Sequence, residues 1–414
     1  MGGRVSLTTD QPHPLRFLAL CARPEMDEAL QTRLAEEARG VERWDLVVLA
    51  AEYHEVVGLL HAHLRSAAVR LPEGPRRNLE GFVARTRHAT QTRLRVLAEV
   101  LEILVAHGIE SLVLKGGALA PTLYREPGHR PLADLDLWVE PERVAEAQTC
   151  LLRQGFTAHA AHGLPEHRHL APISCERDGI RVLVEMHHTL EAGRVERATD
   201  LWDRSTWFEV EGQPARSLGP ADMLAQLHHH LVYHLIFHRS LRLKWVADLI
   251  GVAERFATTI DWAEISKRYP PLPGALAMLH HLSPLSPRLL DRIGSFDDSQ
   301  VPAGILEELS VLPEPKAAAS GRAASDIPRR PAWLSASSSR SLADTFWPAE
   351  WRLRLYWGLD RSRATLPYRW RYLWRVIAFS AAIWKSHGGS LTTLSRRPWI
   401  RSRLPPQPHR GSPE

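Results

Sequence analysis

Residues 114–139 read LKGGALAPTLYREPGHRPLADLDLWV, from Leu114 to Val139. Near the end of this stretch apolar and acidic residues alternate through Ala133, Asp134, Leu135, Asp136 and Leu137. A strand with that order carries Asp134 and Asp136 on one face and Leu135 and Leu137 on the other. Two neighbouring carboxylates repel each other unless a divalent cation neutralises them. Hard oxygen donors of this kind suit magnesium or manganese bound together with substrate phosphates. The start of the stretch fits the same chemistry. Ile109 to Leu114 is a short apolar run that predicts a strand, Lys115-Gly116-Gly117 ends it, and Ala118-Leu119-Ala120 opens a helix. A strand, a glycine turn and a helix N-terminus aim backbone N–H groups at an anion. Glycine leaves room where a β-carbon would meet a phosphate.

The string Leu114-Lys115-Gly116, then Tyr124, Arg130-Pro131, Asp134-x-Asp136-Leu137 and Val139 is similar to the bacterial uncharacterised nucleotidyltransferase family. The glycine pair, helix and Asp-x-Asp strand resemble the wider polymerase-β-like nucleotidyltransferase superfamily. The resemblance implies an α+β fold: a polymerase-β-like core of mixed sheet and helices, flanked by N-terminal and C-terminal helical regions. It implies metal-dependent transfer of a nucleoside monophosphate from a nucleoside triphosphate to a hydroxyl of a small molecule, peptide or protein, with Mg2+ or Mn2+ as cofactor. A third metal-binding carboxylate is then required from a later strand.

Ile180 to His187, IRVLVEMH, meets that requirement. Its β-branched residues favour a strand, in which Leu183, Glu185 and His187 share one face and Val182, Val184 and Met186 the other. Glu185 stands where many members carry aspartate, and His187 matches the family's histidine. Asp134, Asp136 and Glu185 are therefore the expected catalytic metal ligands. Lys115, Gly116, Gly117, Arg130 and His187 are the expected nucleotide-binding residues, with Lys115 and Arg130 balancing phosphate charge. Only five of the 52 Lys and Arg residues are lysine, so Lys115 beside the glycine pair stands out. The alternative reading is a catalytically inactive protein of the same fold that acts with a biosynthetic partner.

A chain of 414 residues exceeds the usual single core, so two or three domains are expected. No run approaches the eighteen or so apolar residues needed to cross a bilayer, and Met1 to Pro14 shows no secretory pattern. Cys21, Cys150 and Cys175 are odd in number and widely spaced, which argues against a disulfide framework or a cysteine zinc site and favours the cytoplasm. The net charge of +5, much of it in the tail, gives no reason to expect a nucleic-acid partner.

Residues 1–100 read as helices over Leu15–Leu20, Met26–Ala38, Trp44–His63 and Leu94–Ala106, broken by Pro24 and by Leu71 to Pro75. His54-Glu55 suggests a zinc-protease motif, but Gly58 stands where its second histidine would be needed. Residues 101–211 form the expected core. There Pro141–Gln154 reads as a helix capped by Gly155, Phe156 starts a strand, and His167-Arg168-His169 reads as a solvated loop rather than part of the site. Residues 212–311 form a helical domain in which the stretch Pro220–Phe256 returns to a helical pattern. In it His230, His234 and His238 fall on one face beside His228 and His229. Such a row can bind zinc, but no cysteine or acidic ligand completes it, so packing or pocket lining is the favoured reading. Its Arg242-to-Asp248 string continues the family resemblance without an assigned role. Residues 312–345 read as a linker, 346–395 as a Trp/Arg-rich helical hairpin and 396–414 as a disordered tail. Closure of the hairpin against the body is favoured over peripheral membrane contact.

Overall fold

The structure is a computed structural model that describes residues 14–159, 169–190, 198–237, 240–294, 305, 347–359 and 363–386. Alternating sequence builds a mixed sheet from β1 (Leu112–Val113), β2 (Asp134–Trp138), β3 (Thr157–Ala158), β4 (Ile173–Arg177), β5 (Ile180–His187), β6 (Thr206–Val210) and β7 (Gln213–Ser217). The seven strands lie in the order β3-β4-β5-β2-β1-β7-β6. β2 runs parallel to β5, with Asp134 opposite Leu183 and Asp136 opposite Glu185. β1 is antiparallel to β2 and parallel to β7. The sheet thus continues through Ser217, past residue 211.

Helices cover this sheet, so the expected α+β class with helical flanks is the one the chain builds. The N-terminal region contains α1 (Pro14–Leu20), α2 (Glu28–Ala38), α3 (Trp44–Tyr53), α4 (Val57–Ser66) and α5 (Glu73–Ala106). The expected single helix over Trp44–His63 is split after Tyr53. Glu55 adopts a left-handed backbone with φ +59°. Its carboxylate is drawn to Lys244, and the carbonyl of His54 accepts the Lys244 N–H at 3.3 Å. The expected break at Leu71 to Pro75 is instead the start of α5. Pro72 caps it and Pro75 lies in its first turn, where a missing N–H costs no helical bond. Within the core, α6 (Lys115–Thr122) and α7 (Val144–Arg153) pack on the sheet, Gly155 caps α7 at φ +92°, and α8 (Ala198–Arg204) precedes β6.

The helical stretch expected over Pro220–Phe256 is two helices, α9 (Pro220–Phe237) and α10 (Leu243–Arg255), with Arg242 in an extended backbone between them. Next come α11 (Trp262–Arg268), α12 (Pro271–His280) and α13 (Pro287–Ile293), then α14 (Glu350–Trp357) and α15 (Leu366–Ser386). One apolar core joins sheet and helices. α14 packs on α9 and α12 and buries Trp351, Leu353 and Leu355. Gly358, at φ +61°, ends α14 with its α-carbon against the backbone of Pro271, where a β-carbon has no space. Tyr372 and Val376 of α15 close on α14, while Trp347, Trp370 and Trp374 remain exposed. No helix among the described residues is long and apolar enough to cross a membrane. The three cysteines are free and buried. The linker, the tail, His167, Arg168 and His238 lie outside the described residues.

Candidate active site

The β2–β5 register sets Asp136 beside Glu185, and His187 follows two positions later on the same face of β5. Asp136 is buried and its Oδ1 accepts two charge-assisted bonds, from Lys115 Nζ at 3.2 Å and from His187 Nε2 at 2.7 Å. His187 Nε2 lies 3.8 Å from Glu185 Oε2, and His169 Nε2 approaches the same oxygen at 3.6 Å. Asp136, Glu185 and His187 each offer one ligand atom, all within 4.8 Å of one another. Asp134 sits one turn of the pleat away, half-buried and outside that tight group.

The electrostatics divide the two aspartates. Burial, and then the charge of Asp136, push the Asp134 carboxyl up, while Lys115, Lys244 and His230 pull it back. Burial acts the same way on Asp136, but Lys115 and His187 outweigh it and hold that carboxyl well below the ordinary range. One aspartate is therefore firmly ionised, and its neighbour bears the cost of like charge, the imbalance that an added cation would relieve.

Lys115 reaches Asp136 from a left-handed backbone, φ +47°, at the first residue of α6. The helix therefore begins at the lysine, earlier than the Ala118 start expected from sequence. The glycines have a packing role that the phosphate argument did not anticipate. A β-carbon on Gly116 would meet Leu132 Cδ2 at 2.8 Å and the Arg130 guanidinium at 3.2 Å, and one on Gly117 would meet Val113 Cγ1 at 2.9 Å. The Uncharacterised nucleotidyltransferase family matches residues 41–283, more than half of the chain and a span that holds every group described above. The chain belongs to that family. Among solved structures, an antigenic nucleotidyltransferase-like protein from Paracoccidioides brasiliensis is similar at 15% identity, covering 49% of this chain and 98% of its own, with a TM-score of 0.31. No curated protein matches the chain.

In this member of the family Arg130 faces Asp248. Its Nε donates to both Asp248 oxygens at 2.7 and 2.9 Å, its Nη2 to Oδ2 at 2.6 Å, and its Nη1 to the Pro131 carbonyl. Tyr124 donates to the same carboxylate at 2.7 Å. The guanidinium expected to balance phosphate charge thus ties the β2 entry loop to α10.

The site also gathers residues beyond those expected from sequence. His169 lies against His187, ring centroids 5.1 Å apart, rather than in a solvated loop. His230 and His234 pack against each other with ring centroids 4.5 Å apart and against Trp245, so packing describes them. His228 donates from Nε2 to the Leu355 carbonyl instead. Lys244 pairs with Glu55 at 2.8 Å, and its charge reaches Asp134. A signal for Lys244 existed: it is another of the five lysines in an arginine-rich chain and lies in the Arg242-to-Asp248 string.

Proposed function

We propose that this nucleotidyltransferase moves a nucleoside monophosphate from a nucleoside triphosphate to an acceptor hydroxyl, with a divalent cation, Mg2+ or Mn2+, held by Asp134, Asp136 and Glu185. The observation that carries the reading is the parallel register that sets Asp136 opposite Glu185 with Asp134 two residues before it. The carboxylate oxygens suit such a hard cation, and burial together with the charge of Asp136 leaves the ionised form of Asp134 destabilised where a cation would relieve it, while His187 keeps its Nε2–H on Asp136. Bound there, the cation would supply charge neutralisation at the reacting phosphate.

The chain's residues do the rest. Lys115 and His187 fix Asp136 in its ionised form and orientation. Gly116 and Gly117 place the first N–H groups of α6, which have no partner within the helix, toward phosphate oxygens. Glu185 takes the proton of the acceptor hydroxyl as its oxygen bonds to the α-phosphorus. The bond from that phosphorus to the bridging oxygen breaks, and pyrophosphate leaves. Arg130 acts as a positioning residue through Asp248.

Thermal unfolding with each of the four nucleoside triphosphates, with and without magnesium or manganese, tests the reading. At a hundredfold excess over the dissociation constant, the right pair should add about 2.7 kcal/mol to the wild type. Asp134→Asn should show no such gain. Asp136→Asn should lose transfer of α-labelled nucleotide while staying folded. Stabilisation in wild type with full transfer by Asp136→Asn would refute the assignment, and no stabilisation under any condition would favour the inactive alternative.

A further inference from the structure

Two cations lie beside the site with one carboxylate between them. Lys115 has Asp136 and Arg130 has Asp248, whereas Lys244 and Arg242 divide Glu55. Lys244 Nζ lies 2.8 Å from Glu55 Oε1, and Arg242 Nη1 lies 3.9 Å from Glu55 Oε2, beyond hydrogen-bond reach. Arg242 is only 2% exposed, and its Nε and Nη1 lack a hydrogen-bond partner among the described residues. Its guanidinium lies 3.9 Å from the centre of the Tyr53 ring, which supports the charge without satisfying the N–H groups. A buried guanidinium with idle donors is costly unless an anion is due to arrive.

Position and conformation agree. Arg242 and Lys244 flank the first residue of α10, the positive end of a 13-residue helix. Lys244 acts on Asp134 and Asp134 on Lys244, so the ammonium lies within electrostatic reach of the reacting centre. Glu55 reaches the pair only because its backbone takes φ +59°, a conformation that non-glycine residues rarely adopt without a compensating interaction.

We propose that Lys244 and Arg242 are the polyphosphate-binding arm of the site, and that Glu55 is a resident carboxylate holding their place until a nucleotide's phosphates displace it. This rests on the nucleotidyltransferase reading above. The ammonium supplies a compact charge, and the planar fork supplies paired donors for phosphate oxygens. Glu55 keeps the arm satisfied in the free protein and competes with the incoming anion.

The test uses inorganic tripolyphosphate as the probe, by calorimetry on the full chain in the presence of Mn2+. Mn2+ binding alone is followed separately by electron paramagnetic resonance. Glu55→Gln should tighten tripolyphosphate by about tenfold, because the competitor loses its charge. The double variant Glu55→Gln with Lys244→Met removes both charges of the hydrogen-bonded pair together, and Arg242 loses Glu55 in it just as it does in Glu55→Gln alone. It should bind tripolyphosphate about tenfold more weakly than wild type. Mn2+ binding should survive in all three proteins. Unchanged tripolyphosphate affinity in the double variant overturns the arm, as does a wild type that binds Mn2+ and ignores tripolyphosphate. Either result leaves the carboxylate centre standing. A wild type that binds neither overturns the centre and the arm together.

Discussion

At the scale of single residues, His228 ties stability to pH. Burial pushes its imidazole down to about 4, only partly offset by its bond to the Leu355 carbonyl. Between roughly pH 6.5 and 4 the unfolded chain binds a proton that folded His228 refuses. Stability therefore falls as pH drops across that window, and this contribution levels off below it. The loss by pH 4 should be about 3 kcal/mol. His63, also pushed down to about 4 by burial, adds in the same direction. Urea melts at pH 7, 5.5 and 4 should show a shallower decline for His228→Gln than for wild type, and parallel declines would refute the assignment. Composition and spacing flagged the histidines of α9 without sorting them. Which imidazole meets a carbonyl and which stacks on Trp245 depends on α14 and α10, elements that the local sequence does not specify.

At the scale of elements, Gly58 shows where sequence reasoning reaches and where it stops. In the sequence it stands where the second histidine of a zinc-protease motif would be needed. Its structural role is different: α4 crosses the turn Pro127–His129 there, and a β-carbon would run into the Gly128 carbonyl and stand 2.9 Å from His129 Cα. Backbone cannot yield as a side chain can, so Gly58→Ala should cost about 2–3 kcal/mol, read as a lower urea midpoint with unchanged slope. β2 and β5 were legible as strands because a period of two is written into Asp134-Leu135-Asp136-Leu137 and into Ile180–His187, while their parallel pairing and register are set by the fold around them. The split of α3 from α4 was not legible. Residues 44–63 keep a helical period throughout, and the break falls at Glu55, whose ion-pair partner lies 189 positions away. The early start of α6 was equally hidden, because nothing local announces a lysine in a left-handed conformation.

For the molecule as a whole, the Arg130–Asp248–Tyr124 cluster joins the sheet-bearing core to the helical domain. Asp248 is fully buried and is the shared acceptor of both side chains. Asp248→Ala would leave the guanidinium buried without its counter-charge, which should cost about 3–5 kcal/mol by chemical denaturation. A loss under 1 kcal/mol would show that water reaches Arg130. The sheet has a related dependence on distant sequence. β1 meets β7 with Leu112 opposite Arg216, and Lys244 meets Glu55 across almost half the chain. Closures over such spans carry a large loop entropy and form late in folding. A nascent chain synthesised as far as residue 240 would already contain Asp134, Asp136 and Glu185, but Glu55 would have no cation to hold. On the proposed role of Lys244 and Arg242, the polyphosphate arm would be completed only once α10 has left the ribosome.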